Sequence, residues 1–262
     1  MNAVSILAFY LTLAVSTTAF AKSLVVVAPE LPPMFQANGT GREATVITET
    51  LAACGHQVRF VVVPFGRHWI EYGEKAEFDA VATVPPDMAI TGARSVPYIR
   101  YQNGASVLKS SGQSIKALGD LAGKRVVTFF GASGVLPGLK DAAPSFAEFR
   151  ERADQLSHSN LLFAGRVEAV LSDGLIFAEY NRQLIDKVKA GGSVGFDPTQ
   201  DVVFTAIFPP SDYTMMFRDE GVRSDFDRCY DGLVKSGRAD AIDREVVGRY
   251  SATVGNQYLQ KP

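Results

Sequence analysis

The chain has 262 residues, a formal net charge of −2 and 47% hydrophobic residues. That length suits one large domain or two small ones, and the near-neutral charge excludes a basic surface built for nucleic acid or anionic lipid. Three histidines and two cysteines at scattered positions exclude a zinc finger or a histidine cage.

The N-terminus reads as an export signal. Residues 4–15 form an apolar run too short to span a bilayer comfortably. Ala19-Phe20-Ala21 follows and suits cleavage before Lys22, although no Lys or Arg precedes the run. The alternative is a buried N-terminal helix. No cysteine closes the run, so no lipid anchor is expected, and no later stretch is long and apolar enough for a membrane helix. Residues 1–21 are therefore expected to be removed, leaving a protein outside the cytoplasm. Export permits a disulfide between Cys54 and Cys229; the alternative is two separate buried thiols.

From Lys22 onward, residues 24–28 are a valine-rich strand, followed by a proline loop at Pro32 and Pro33. Residues 45–53 carry helical spacing up to Gly55; 58–63 form a strand, 67–75 a loose helix and 78–84 a third strand. The pattern then restarts. A strand at 105–109, a short helix at 115–121 and a strand at 125–130 lead into a glycine turn at 131–134. Residues 146–163 read as mostly helical, 167–171 as a strand and 175–184 as a helix. Strands at 202–208 and 214–217 and an amphipathic helix at 223–235 complete the chain. Alternating strands and helices imply two α/β units with mostly parallel sheets.

No phosphate-binding loop, dinucleotide fingerprint or nucleophile elbow occurs, so no cofactor and no enzymatic activity is expected. Four segments invite ligand binding. Glu30 to Phe35 follow the first strand, where α/β sheets take ligands; a rigid proline turn is the alternative. The long loop after residue 84 holds Asp87, Arg94 and Tyr98. An arginine there can grip a carboxylate bidentately, although a solvated arginine is the commoner case. Ser133 in the glycine turn offers an anion corner or an ordinary N-cap. Asp173 offers a partner for an ammonium group or, again, a helix cap.

Several pieces resemble, in order, the family-3 extracellular solute-binding proteins, the polar amino-acid-binding group of ABC uptake systems. They are the opening strand with Pro32-Pro33, Val63-Pro64-Phe65 with Arg67, Phe78-Asp79-Ala80-Val81, and Pro97-Tyr98. The most specific are Leu118-Gly119-Asp120-Leu121-Ala122-Gly123-Lys124-Arg125-Val126 and Ala164-Gly165-Arg166-Val167-Glu168-Ala169-Val170-Leu171-Ser172-Asp173. The resemblance implies a type II periplasmic-binding-protein-like fold, with two α/β lobes joined by two hinge crossovers and a cleft between them. Lobe one would be residues 22–104 and 200–262, and lobe two 105–199, which places Cys54 and Cys229 in one lobe.

It further implies a periplasmic, monomeric protein that captures a small polar solute, an amino acid or a relative, for an ABC permease. A sensory module for a membrane receptor and a dehydratase-like enzyme, with Glu30 and Asp87 as its acids, are the alternatives. Carried over by motif, Asp173 would hold an α-ammonium and Ser133 an α-carboxylate. The family arginine stands about nine residues before Pro-Tyr, whereas Arg94 stands three before Pro97. Leu31 takes the place of an aromatic, which leaves Phe35, Phe65 or Tyr98 to supply a stacking wall.

Overall fold

The computed structural model describes residues 21–259; the apolar run read as an export signal lies outside them. The chain opens with β1 (Ser23–Glu30), α1 (Arg42–Ala53), β2 (Gln57–Pro64), α2 (Arg67–Glu74) and β3 (Ala80–Val84). Two short strands, β4 (Ala93–Arg94) and β5 (Ile99–Tyr101), lead to β6 (Asn103–Leu108) and β7 (Arg125–Phe129). Then come α3 (Ala132–Val135), α4 (Leu139–Ala142), β8 (Glu148–Arg152), α5 (Leu156–Phe163), β9 (Ala169–Asp173) and α6 (Gly174–Lys189). The chain returns through β10 (Val202–Thr205) and β11 (Ser211–Phe217) to α7 (Glu220–Lys235), α8 (Arg238–Arg249) and α9 (Ser251–Val254).

These strands form two sheets. The first runs β2-β1-β3-β11-β4, with β5 also paired to β11, and the second runs β10-β6-β9-β7-β8. In the first, β1 pairs in parallel with β2 and β3, and β11 enters antiparallel. Val26, Val27 and Ala28 are fully buried, as a strand covered on both faces requires. In the second, β7 lies parallel between β8 and β9, while β6 and β10 run antiparallel. The fold is thus two mixed α/β lobes.

Three sequence expectations change. The stretch 146–163 is not one helix: β8 occupies Glu148–Arg152, and only Leu156–Phe163 is helical. Its alternating sequence Glu-Phe-Arg-Glu-Arg forms an edge strand, where charges discourage further pairing. The helix expected at 115–121 shrinks to a 3₁₀ turn at Leu118–Leu121. Finally, the strand expected at 202–208 stops at Thr205 and pairs with β6, so the return expected at residue 200 falls beyond Thr205.

Sequence also undercounts the end of the chain, where α8 and α9 lack strong apolar periodicity. α7 and α8 pack on α1, and the Cys54–Cys229 disulfide joins the end of α1 to α7 across a Cα–Cα distance of 6.0 Å. That is an ordinary disulfide separation. Among the described residues no helix is long and apolar enough to cross a membrane.

The hinge has two adjacent crossings. β5 of the first sheet passes through Gln102 into β6 of the second, while residues 206–210 return from β10 to β11. The crossings lie side by side because Tyr101 pairs with Ser211 and Ala105 with Thr205. The Gln102 side-chain amide donates to the Phe208 carbonyl (2.8 Å), and Asn103 donates to the Ser211 hydroxyl (3.2 Å). A Cβ on Gly104 would come within 2.2 Å of the Thr205 carbonyl oxygen, so the close approach requires glycine there.

The C-terminal tail is a third connection. Tyr250, Val254 and Tyr258 share an apolar cluster with Leu175, Ile176 and Phe204 of the second lobe and with the first-lobe core. Tyr258 donates to Asp173 (2.6 Å), Tyr250 to Glu179 (2.7 Å), and the Ala206 amide to Gln257 (3.0 Å).

Candidate functional site

The lobes face each other across a cleft at the ends of β1, β6, β7 and β9. Its centre is a small cavity of about 10 Å³. Leu31, Phe65, Tyr101 and Tyr213 come from the first lobe; Phe129, Gln155, Asp173 and Ile176 come from the second; Asn103 sits on the crossing. The rings of Phe65 and Phe129 meet edge to face at 6.3 Å, which closes the centre by direct interlobe contact. Phe130, a large exposed side chain, lies against Gly66 at the rim. Beside the centre a groove of about 480 Å³ runs between residues 85–88 and 131–137, with Pro209 to Tyr213 as its floor. Tyr213 lines both spaces.

Of the expected site residues, Phe65 and Asp173 line the centre and Asp87 the groove. Glu30 is exposed at the end of β1, close enough to Tyr180 of α6 to help raise its pKa. Phe35 is core, fully buried edge to face with Phe60, because the proline loop folds back and buries it. Tyr98 is also core. Its hydroxyl donates to Glu43 and accepts from the Thr83 amide.

The three residues expected to grip charge are all engaged internally. Arg94 donates to the carbonyls of Pro85 and Met88 and to the Thr214 hydroxyl, pinning the loop rather than facing a ligand. The Ser133 hydroxyl and amide both donate to Glu151, whose other carboxylate oxygen accepts the Gly131 amide at 2.8 Å. Burial pushes the Glu151 carboxyl up, but these donors outweigh it and hold the pKa below the usual value. Asp173 is the N-cap of α6. It accepts the amides of Leu175 (2.9 Å), Ile176 (3.1 Å) and Gln102 (2.8 Å) and the Tyr258 hydroxyl. Each of its oxygens takes two donors, which fills its acceptor capacity. Burial dominates its titration and raises the pKa despite these bonds.

The first lobe supports its side of the cleft on Glu43, fully buried at the start of α1. Glu43 accepts hydroxyls from Thr83, Tyr98 and Tyr101, and burial raises its pKa. Thr83 is a β-branched residue at φ 58°, a strained conformation costing about 1–3 kcal/mol. The Glu43 and Tyr98 bonds and the Trp69 indole, which donates to the Thr83 carbonyl at 3.2 Å, hold it there. Trp69 is the chain's single tryptophan and packs edge to face on Phe65 at 5.4 Å. It is therefore a built-in reporter of the cleft.

Sequence reading placed Tyr101 in the long loop after residue 84 without giving it a role, and missed Asn103, Phe129, Gln155, Ile176 and Tyr213. Phe129 was legible as the end of a strand; Gln155 carries no signal, and Tyr213 fell between two expected strands.

No family model matches the chain, and no curated protein matches it in sequence. Solved structures do match in shape. A histidine kinase sensor domain with similarity to periplasmic binding proteins superposes with TM-score 0.69 at 15% identity, covering 86% of this chain and 96% of that one. The chain has a type II periplasmic-binding-protein fold. An ancestral arginine-binding protein bound to glutamine gives 0.67 at 21% identity, over 86% and 98% of the two chains. A substrate-binding protein of an amino acid ABC transporter from Streptococcus pneumoniae, bound to L-arginine, gives 0.65 at 16% identity, over 88% and 95%.

Proposed function

We propose that this protein is an exported, hinged solute-binding protein that captures one small solute between its lobes and hands it to a membrane permease. The observation that carries this reading is the cleft itself. Both lobes contribute side chains to one cavity, and among the described residues the chain passes between them in two short crossings and a tail. A solute touching both lobes favours the closed arrangement over the open one, and that difference drives closure. The Cys54–Cys229 disulfide fits a location outside the cytoplasm. Phe65 and the groove residue Asp87 are the expected site residues that we keep as ligand contacts.

A thermal-unfolding screen against amino acids, amides, amines and organic acids tests the reading. A solute at one hundred times its Kd should add about 2.7 kcal/mol of stability. No stabilisation by any member would refute it. The likeness to a kinase sensor domain favours a second reading, delivery to a membrane receptor. Gene deletion separates the two: loss of solute uptake supports transport, and loss of a response with uptake intact supports sensing.

A further inference from the structure

The cleft is lined by aromatic and neutral polar side chains and by three carboxylates, Asp173 at its centre and Asp87 and Asp212 in its groove, and among the described residues no lysine or arginine lines either space. From this we infer that the solute carries no carboxylate: it is an apolar-bodied, preferably aromatic molecule with a neutral polar group, recognised by Gln155 and Tyr213. The inference rests on the solute-binding reading above and deepens it.

A carboxylate entering this cleft would lose its water, find no cationic partner and meet carboxylates of like charge. The amides of Gly131 and Ser133, at the groove's second-lobe side, are already occupied by Glu151, so a second carboxylate there would meet a like charge. Arg94 is turned away into the carbonyls of its own loop. An ammonium group fares no better at the centre, because the one acid there, Asp173, already accepts four donors.

Two polar groups at the centre remain open. Gln155 is only 5% exposed, lines the cavity from the second lobe, and its side-chain amide makes no hydrogen bond among the described residues. The amide can both donate and accept there, which suits a neutral polar group on the solute. Tyr213, also 5% exposed, faces it from the first lobe with its hydroxyl free of protein partners among the described residues. Burial, and then nearby Asp173 and Glu43, raise its pKa, so it stays a neutral donor. An amide or similar group between them would bridge the lobes while Phe65 and Phe129 part to flank an apolar body.

Isothermal titration with matched probes tests this. Benzamide, nicotinamide and phenethylamine represent carboxylate-free solutes; phenylalanine, glutamine and arginine represent zwitterions. Benzamide or nicotinamide should bind at least tenfold more tightly than any zwitterion. Gln155→Leu and Tyr213→Phe, each checked for an unchanged thermal midpoint, should each weaken that binding about tenfold. A zwitterion binding as tightly as the amides, or amide binding unaffected by both substitutions, would overturn the inference and leave a solute-binding protein standing. No binding of either class at millimolar concentration would overturn both.

Discussion

The two lobes share an architecture but differ in how each is held. The first has a covalent staple between α1 and α7 and, under its cleft face, a carboxylate whose three hydroxyl donors all come from within the same lobe. The second has no staple. Its buried acid at the cleft, Asp173, draws donors from the crossing (Gln102) and from the tail (Tyr258) as well as from its own helix. One acid therefore builds a lobe and the other couples lobes. The first lobe is held from within as a platform, while the second lobe's buried acid ties it to the crossing and the tail.

Removing the disulfide with Cys54→Ala and Cys229→Ala strikes the platform hardest. The bonded residues are 175 apart in sequence, and closing so long a loop stabilises by about 4–5 kcal/mol. Urea unfolding should show that loss, and hydrogen exchange should place it in α1 and α7. Equal loosening of β7 to β9 would break the comparison.

Asp173→Ala comes next. It strands three amides and a hydroxyl in a buried hinge, a loss of about 3–5 kcal/mol. Here exchange should quicken in α6, β6 and the tail together. An effect confined to α6 would reduce Asp173 to a simple cap.

Acid should weaken both lobes alike. Burial lowers the pKa of His68 in the first lobe to about 3 and that of His158 in the second to about 4. Unfolded histidine takes up its proton near pH 6.5, so the stability from each neutral ring is complete above that pH and lost as pH falls from 6.5 towards the folded value. Between pH 6.5 and 5 each contributes a loss of about 2 kcal/mol. His158→Leu should flatten the pH slope of stability by about one proton in that window, and an unchanged slope would remove His158 from the account.

Tyr258→Phe is the mildest change. It deletes one bond to Asp173 and should cost about 1 kcal/mol. A cost near zero in the same unfolding assay would mean the tail adds packing only.

The lobes' main strands were legible because buried parallel strands read as apolar runs, unbroken in 24–28 and interrupted only by Glu168 in 167–171. The edge strand β8 was not, since its pairing to β7 overrides a charged sequence. The charged candidates of the site show a related effect. Arg94, Ser133 and Asp173 have the right chemistry for a ligand, but Thr214, Glu151 and Tyr258, remote in sequence, use it up. Tertiary partners, invisible to local pattern, decide whether a polar side chain serves a ligand or the fold.

The central claim is that a solute draws the lobes together. Spin labels at Pro86→Cys and Gly134→Cys lie on the two sides of the groove and report that motion directly, with Trp69 emission as an unlabelled companion. A solute that raises thermal stability should move the interlabel distance to one shorter, narrower distribution. A distribution unchanged by a solute that demonstrably binds would contradict the account.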